Sequence, residues 1–186
     1  MTELGLGGRS ENSPLIANCV IEEQIGQGST SQVYRARRYP SEHHHHPVAL
    51  KYIDLSSPAY QRFPSQVERF VQELRLYHNL TNPCVIPLLE SEYKAGSHIA
   101  MVMQLVSGPT LKDTLKEGAW HIWHALSLCR RVGQVLTDLH AKHIIHRDIQ
   151  DTNIMLATSF DRTRLRLPHV YLLDFGLSHR LPETDT

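Results

Sequence analysis

Excess charge of one sign, paired cysteine and long apolar runs are all missing from this 186-residue chain. Its 19 Lys and Arg balance 19 Asp and Glu. Without a basic stripe, the electrostatic footprint of a nucleic-acid binder is lacking, and no nucleic acid is expected as partner. The cysteines are Cys19, Cys84 and Cys129. They form no CxxC pair and no spacing of a zinc site or disulfide framework, which fits a reducing compartment, so a cytoplasmic protein is expected. No stretch reaches the length of apolar residues that spans a bilayer, and residues 1–13 show no basic segment leading into an apolar core. Neither a membrane segment nor secretion is therefore expected, and no internal repeat is visible. What remains is a globular composition, 41% hydrophobic and 20% charged, long enough to bury a core without disulfides or metal.

Histidine is in excess, 13 residues with a run at His43 to His46. Such a run binds transition metals or senses pH in some settings. Between Tyr39-Pro40-Ser41 and Pro47 it reads more simply as a solvated loop.

Along the chain, hydrophobic periodicity changes once. Cys19-Val20-Ile21 and Val33-Tyr34 flank the turn Ile25-Gly26-Gln27-Gly28-Ser29-Thr30-Ser31, a hairpin with a permissive tip. Val48-Ala49-Leu50-Lys51-Tyr52-Ile53 is an apolar strand with a single cation, and a buried lysine needs a partner. Ser65-Gln66-Val67-Glu68 has the spacing of a capping box, followed by apolar positions Val67, Phe70, Val71, Leu74 and Tyr77. Glu73 lies at the edge of that stripe, able to point toward the core and meet Lys51. Val85 to Leu89 and His98 to Val106 read as further strands around the turn Lys94-Ala95-Gly96-Ser97. From Gly108 the pattern is helical, with a short segment at Leu111 and Leu115. A long one follows, whose Ile122, Ala125, Leu126, Cys129, Val132, Leu136 and Leu139 predict one buried face. The loop from Ala141 to Asn153 and the strand-like pieces Ile154–Leu156 and Val170–Leu173 follow. The expected class is α+β: a five-stranded antiparallel lobe with one helix, then a mainly helical part.

Taken alone, Gly26 and Gly28 say little, since hairpin tips use glycine for its conformational freedom. The ordered set says more. A Gly-rich turn is followed by Lys51 in Val48-Ala49-Leu50-Lys51, then Glu73, His146-Arg147-Asp148-Ile149-Gln150-Asp151-Thr152-Asn153, and Asp174-Phe175-Gly176. This order resembles the protein kinase signature of Gly-rich loop, strand lysine, HRDxxxxN and DFG, and looks most like the serine/threonine type. The resemblance covers about residues 18 to 181. It implies residues 18–103 as the N-lobe, 104–186 as part of the C-lobe, and a flexible segment at 1–17. Further implications follow residue by residue. Val102-Met103-Gln104-Leu105-Val106 looks like the hinge, with Met103 as gatekeeper and Gln104 and Val106 beside the nucleotide. Val33, Ala49 and Met155 would sandwich the adenine, and Tyr77, Leu88, His146 and Phe175 would stack as one hydrophobic column.

The implied cofactors are ATP and Mg²⁺, the implied partner a protein substrate. Phosphoryl transfer needs electrostatic positioning more than covalent help. Lys51, fixed by Glu73, would hold the α- and β-phosphates. Asn153 and Asp174 offer hard oxygen ligands to the metal. Asp148 would orient the substrate hydroxyl and accept its proton, while His146 reads as a packed histidine. Arg147 resembles the arginine that pairs with a phosphorylated activation loop.

Departures from the pattern bear on activity. Ser31 replaces the third glycine. Gln150 stands where lysine is usual in the serine/threonine type, so a weaker γ-phosphate contact is expected. Ala157 to His169 reads as an enlarged turn. Thr186 ends the sequence ten residues after Gly176, ahead of the APE motif and later helices of the family. The sequence therefore reads as a kinase cut short, its lobe to be completed by a partner or a missing C-terminal region. Alternatives are a nucleotide-binding pseudokinase acting through partners, or a small-molecule phosphotransferase. That last family typically has HGD, and Arg147 occupies the place of its glycine.

Overall fold

Side chains that alternate along a strand sort themselves onto two faces, and in this chain both faces of one sheet are covered. The computed structural model describes residues 15–27, 31–39, 47–58, 62–158, 161 and 167–181. Gly28 and the run His43 to His46 lie outside them. Strands β1 (Cys19–Gln27), β2 (Gln32–Arg38), β3 (Val48–Asp54), β4 (Leu88–Lys94) and β5 (His98–Gln104) form an antiparallel sheet in the order β1-β2-β3-β5-β4. On the central strands, Ala49, Ile53, Ile99, Met101 and Met103 join one hydrophobic core. Val48, Leu50, Ala100 and Val102 join a second on the opposite face. Lys51 shares the parity of Ala49 and Ile53, so its side chain leaves the sheet on the side of the first core.

That side is covered by α1 (Pro64–Asn79), whose buried residues are Phe70, Glu73, Leu76 and Tyr77. The helix begins two residues earlier than the capping-box spacing suggests. Phe63 is the N-cap, without a side-chain bond, and Pro64 occupies the first turn. Proline's fixed φ suits that position and needs no N–H partner there, so Ser65 falls inside the helix and caps nothing. The second core is closed by Ile16 and Ala17, through a two-residue turn in which Ala17 and Asn18 adopt φ 49° and 55°. The Ala17 N–H donates to Glu92 Oε2 at 2.6 Å.

The strand expected at Val85 to Leu89 starts at Leu88 only. Val85 instead makes a parallel bridge to Leu172, and the Leu172 N–H donates to Cys84 O at 2.8 Å. The second half holds α2 (Leu111–Lys116), opened by a Thr110–Asp113 capping box, then α3 (Ile122–Ala141). Short pieces follow: β6 (Ile144–Ile145), a 3₁₀ turn at Asp151–Asn153, β7 (Ile154–Leu156), β8 (Val170–Leu172) and β9 (His179–Arg180). β6 pairs with β9 and β7 with β8. The Ala157 N–H bonds His169 O at 2.8 Å across the base of the expected enlarged turn.

On α3 the predicted face is corrected in part. Leu139 is buried and Val132 and Leu136 pack against the core as expected, but Ile122 and Leu126 are 61% and 51% exposed, and His124, Leu128 and Val135 are buried in their place. The helix carries apolar residues on two sides, and the side that is buried packs toward β6 and β8. Arg131 reinforces that choice by donating to Leu167 O and Pro168 O at 3.2 and 2.9 Å. Among the described residues no helix is long and apolar enough to cross a membrane.

Gly108 joins the two halves. A Cβ there would sit 2.0 Å from Leu156 O. The neighbouring Leu156 N–H donates to Pro109 O at 3.0 Å, and Thr110 bridges Met155. The obstacle is backbone, so it cannot swing aside. Gly108→Ala is expected to cost about 1–3 kcal/mol as overpacking, which at roughly 2–4 °C per kcal/mol for a chain of this size lowers the melting temperature measurably. A calorimetric scan checks it. An unchanged midpoint would mean that the linker and β7 separate easily.

Candidate active site

The face parity of β3 and the buried stripe of α1 bring Lys51 and Glu73 together. Lys51 Nζ donates to both carboxylate oxygens of Glu73, at 2.6 and 2.7 Å. Both residues are buried, with 8% and 1% exposure. A third charge completes the group, since Asp174 Oδ1 lies 3.4 Å from Lys51 Nζ. Burial disfavours the ammonium, but the Glu73 and Asp174 carboxylates outweigh it and hold the Lys51 proton more tightly than usual. Asp174 reaches this place through a left-handed backbone, φ 58°. Its Oδ1 also accepts the Gly176 N–H at 3.2 Å. A Cβ on Gly176 would stand 3.1 Å from that same oxygen, so glycine leaves the carboxylate its room.

Between these two residues, Phe175 is driven inward, 1% exposed. Its ring meets Tyr77 edge-on at 5.3 Å and His146 at 4.8 Å. An aromatic column thereby runs from α1 through Phe175 to the loop after β6. Leu88 packs against the same core. His146 is a packed residue here. Its Nε2 lies 3.1 Å from Leu173 O, and the Asp148 N–H points to its Nδ1 at 3.3 Å. The carbonyl can only accept and the amide only donate, so the ring is the neutral Nε2–H tautomer. Burial agrees, holding the imidazole below its ordinary pKa.

After His146 the chain turns at Arg147, φ 63°, whose Nε donates to Leu177 O at 2.7 Å. This ties the Asp148 loop to the segment after Phe175. Asp148 is then gripped by two amides. Asn153 Nδ2 donates to Asp148 Oδ2 at 2.7 Å and to its carbonyl at 3.1 Å. Gln150 Nε2 lies 3.1 Å from each carboxylate oxygen. The Leu173 N–H donates to Asn153 O at 2.8 Å, anchoring this loop beside Asp174.

The residues expected around an adenine fall on neighbouring elements. Val33 pairs with Gly26 on one side and Lys51 on the other, and Ala49 pairs with Met103. Ala49 and Met103 are buried, Met155 on β7 is half-buried, Gln104 is exposed and Val106 half-buried. Gly26 is not forced by the protein's own packing, since an added Cβ meets only ordinary contact with Val33. The sequence alone did not disclose the tie from Arg147 to Leu177 or the Gln150 grip on Asp148. Both depend on the local path of a loop, which carries no periodicity.

The donor set facing the cleft is hard. Asp174 is a carboxylate with 45% side-chain exposure. Asn153 spends its Nδ2 on Asp148, leaving the oxygen end of the amide for a cation. Two oxygen donors of this kind fit Mg²⁺, which keeps waters and phosphate oxygens in the rest of its shell.

A family profile described as "Protein kinase domain" matches residues 19–186. Among curated proteins, the chain is 31% identical over 163 residues to "Serine/threonine-protein kinase pkn2" of Myxococcus xanthus, covering 87% of this chain and 18% of that protein. It is 30% identical over 178 residues to "Serine/threonine-protein kinase PknL" of Mycobacterium tuberculosis, covering 95% of this chain and 41% of that protein. It is 31% identical over 154 residues to "Serine/threonine-protein kinase PAK 1" of Mus musculus, with 83% and 25% covered. The chain thus spans less than half the length of each of these relatives.

Proposed function

The chain belongs to the protein kinase family, and from that membership we propose that it transfers the γ-phosphate of Mg·ATP to a serine or threonine hydroxyl of a protein. One observation carries the reading: Lys51, Glu73 and Asp174 converge within 3.4 Å while Phe175 fills the column between Tyr77 and His146. This is an assembled arrangement, in which the strand lysine and both loops face one cleft.

Each side chain then has a task. Lys51 presents a fixed ammonium to the α- and β-phosphates, and Glu73 holds it against loss of its position. Val33, Ala49, Met103 and Met155 supply the apolar walls for the adenine, with Gln104 and Val106 at the hinge and the backbone of Gly26, near the end of β1, beside the phosphates. Asn153 and Asp174 would hold Mg²⁺, which when bound neutralises charge on the phosphate oxygens. Asp148 orients the attacking hydroxyl and takes its proton as the new P–O bond forms and the bond to ADP breaks. Free Cys19, Cys84 and Cys129 suit a reducing compartment, and we place the protein in the cytoplasm.

The test is transfer of label from γ-labelled ATP. Label on casein or on the chain itself, with none on a small-molecule alcohol such as an aminoglycoside, is the expected result. Label on the small alcohol alone would replace this reading with a small-molecule phosphotransferase. Mg-dependent thermal stabilisation by ATP with no transfer to any acceptor would replace it with a nucleotide-binding pseudokinase.

A further inference from the structure

Gln150 stands where the serine/threonine type usually carries lysine, and its donor does not point at empty cleft. Its Nε2 lies 3.1 Å from both Oδ1 and Oδ2 of Asp148, on the bisector of the carboxylate. The amide's orientation is not arbitrary, because a carboxylate only accepts and so requires the NH₂ end. Asn153 Nδ2 adds the third contact, at 2.7 Å to Oδ2. The Gln150 backbone is itself held: it is extended, it precedes the 3₁₀ turn, and its carbonyl accepts the Asn153 N–H at 3.0 Å. Three bonds from two neutral amides thus fix the plane of one carboxylate.

Resting on the protein kinase reading, we infer that Gln150 is a positioning residue for Asp148, orienting the catalytic carboxylate by a shared amide donor in place of a cation. A carboxylate has about four lone-pair directions. The two amides engage three of them, one on Oδ1 and two on Oδ2, and leave one on Oδ1 for a hydroxyl proton. A neutral donor does this without setting a full positive charge beside the group that must attract that proton. The weak γ-phosphate contact expected from the sequence is replaced by this inward role, because one NH₂ group engaged with both oxygens has turned away from a separate ligand.

The consequence is kinetic. Orientation of the base matters in the transition state and little for nucleotide binding, so its loss should appear in kcat and not in the KM for ATP. Gln150→Met keeps the length of the side chain and removes the donor. With casein as acceptor, it should lower kcat by roughly 10- to 100-fold, the scale expected when a reacting group is misplaced by about 1 Å. The KM for ATP should stay within about twofold and the thermal stabilisation by Mg·ATP should not change. Gln150→Lys, which restores a donor, should recover most of the lost kcat. Gln150 is on the surface side of the loop, and a melt without nucleotide verifies that both variants fold.

A Gln150→Met kcat equal to that of the parent, in a parent that labels casein, overturns this inference alone. A raised KM for ATP at unchanged kcat also overturns it and makes Gln150 a ground-state nucleotide contact. A parent chain that transfers no phosphate to any protein overturns the kinase reading and the role of Gln150 with it.

Discussion

Lys51→Met is expected to reduce phosphate transfer by on the order of 10²–10³-fold, the usual cost of removing one preorganised donor from developing phosphate charge. The same change should lower the stability of the fold, because Glu73 is 1% exposed and would lose the ammonium 2.6 Å from its carboxylate. Breaking a buried pair by deleting one partner costs about 3–5 kcal/mol. That loss could be mistaken for the cause of inactivity, and a double variant separates the two. Replacing both members of a buried pair with apolar side chains is often neutral. Lys51→Met combined with Glu73→Met should therefore recover most of the melting temperature while transfer stays as low as in Lys51→Met. Denaturant unfolding of the parent, both single variants and the double variant measures the coupling. Recovery of activity along with stability would show that Lys51 serves the fold alone.

The pair is legible in the sequence, for a reason particular to its residues. A lone cation in Val48–Ile53 and a carboxylate beside the stripe Phe70, Leu74, Tyr77 are each anomalies in an apolar setting, and each anomaly predicts the other. The periods of strand and helix then say which way both point. Where two solutions satisfy the same pattern, the sequence is silent. On α3 Ile122, Leu126 and Cys129 on one side and Leu128 and Val135 on another are all apolar, Leu139 serving either, and the choice between them is made by β6 and β8, segments of two and three residues with little signal of their own. Pro64 and Ser65 likewise both suit a helix start, and proline's fixed φ prevailed.

The site itself is built where propensity argues against it. Arg147 and Asp174 hold φ of 63° and 58°, a left-handed backbone that non-glycine residues seldom adopt. Such strain costs of order 1–3 kcal/mol and persists only where surrounding contacts over-determine it. Here those contacts are the Arg147 Nε bond to Leu177 O and the approach of Asp174 to Lys51. Neither contact has a local sequence signature. The motif residues could be named from their order and the Lys51–Glu73 pair from its setting, but the ties of Arg147 to Leu177 and of Gln150 and Asn153 to Asp148 could not.

Asp148→Asn should separate chemistry from structure more sharply than any other change at the site. Loss of a general base costs about 10²–10⁴-fold, and transfer to casein should fall by that amount. Binding of Mg·ATP should survive, because Lys51 and Asp174 are untouched, and ATP at 100 Kd should still add about 2.7 kcal/mol to stability. The loop should also hold its shape, for a reason that Gln150 provides. The new amide can turn its oxygen toward Asn153 Nδ2, the donor now 2.7 Å from Asp148 Oδ2. Its NH₂ then faces Gln150, whose own amide can rotate to present oxygen in place of nitrogen. A lysine at 150 has three donors and no acceptor, and would meet that NH₂ with a donor. In the Gln150→Lys background, Asp148→Asn should therefore lower the melting temperature further than in the parent. By hydrogen exchange, residues 146–153 should stay as protected in Asp148→Asn as in the parent, and open in the double variant. Transfer within tenfold of the parent would remove Asp148 from the chemistry. Equal opening of the loop in both backgrounds would remove the amide exchange as the reason the loop keeps its form.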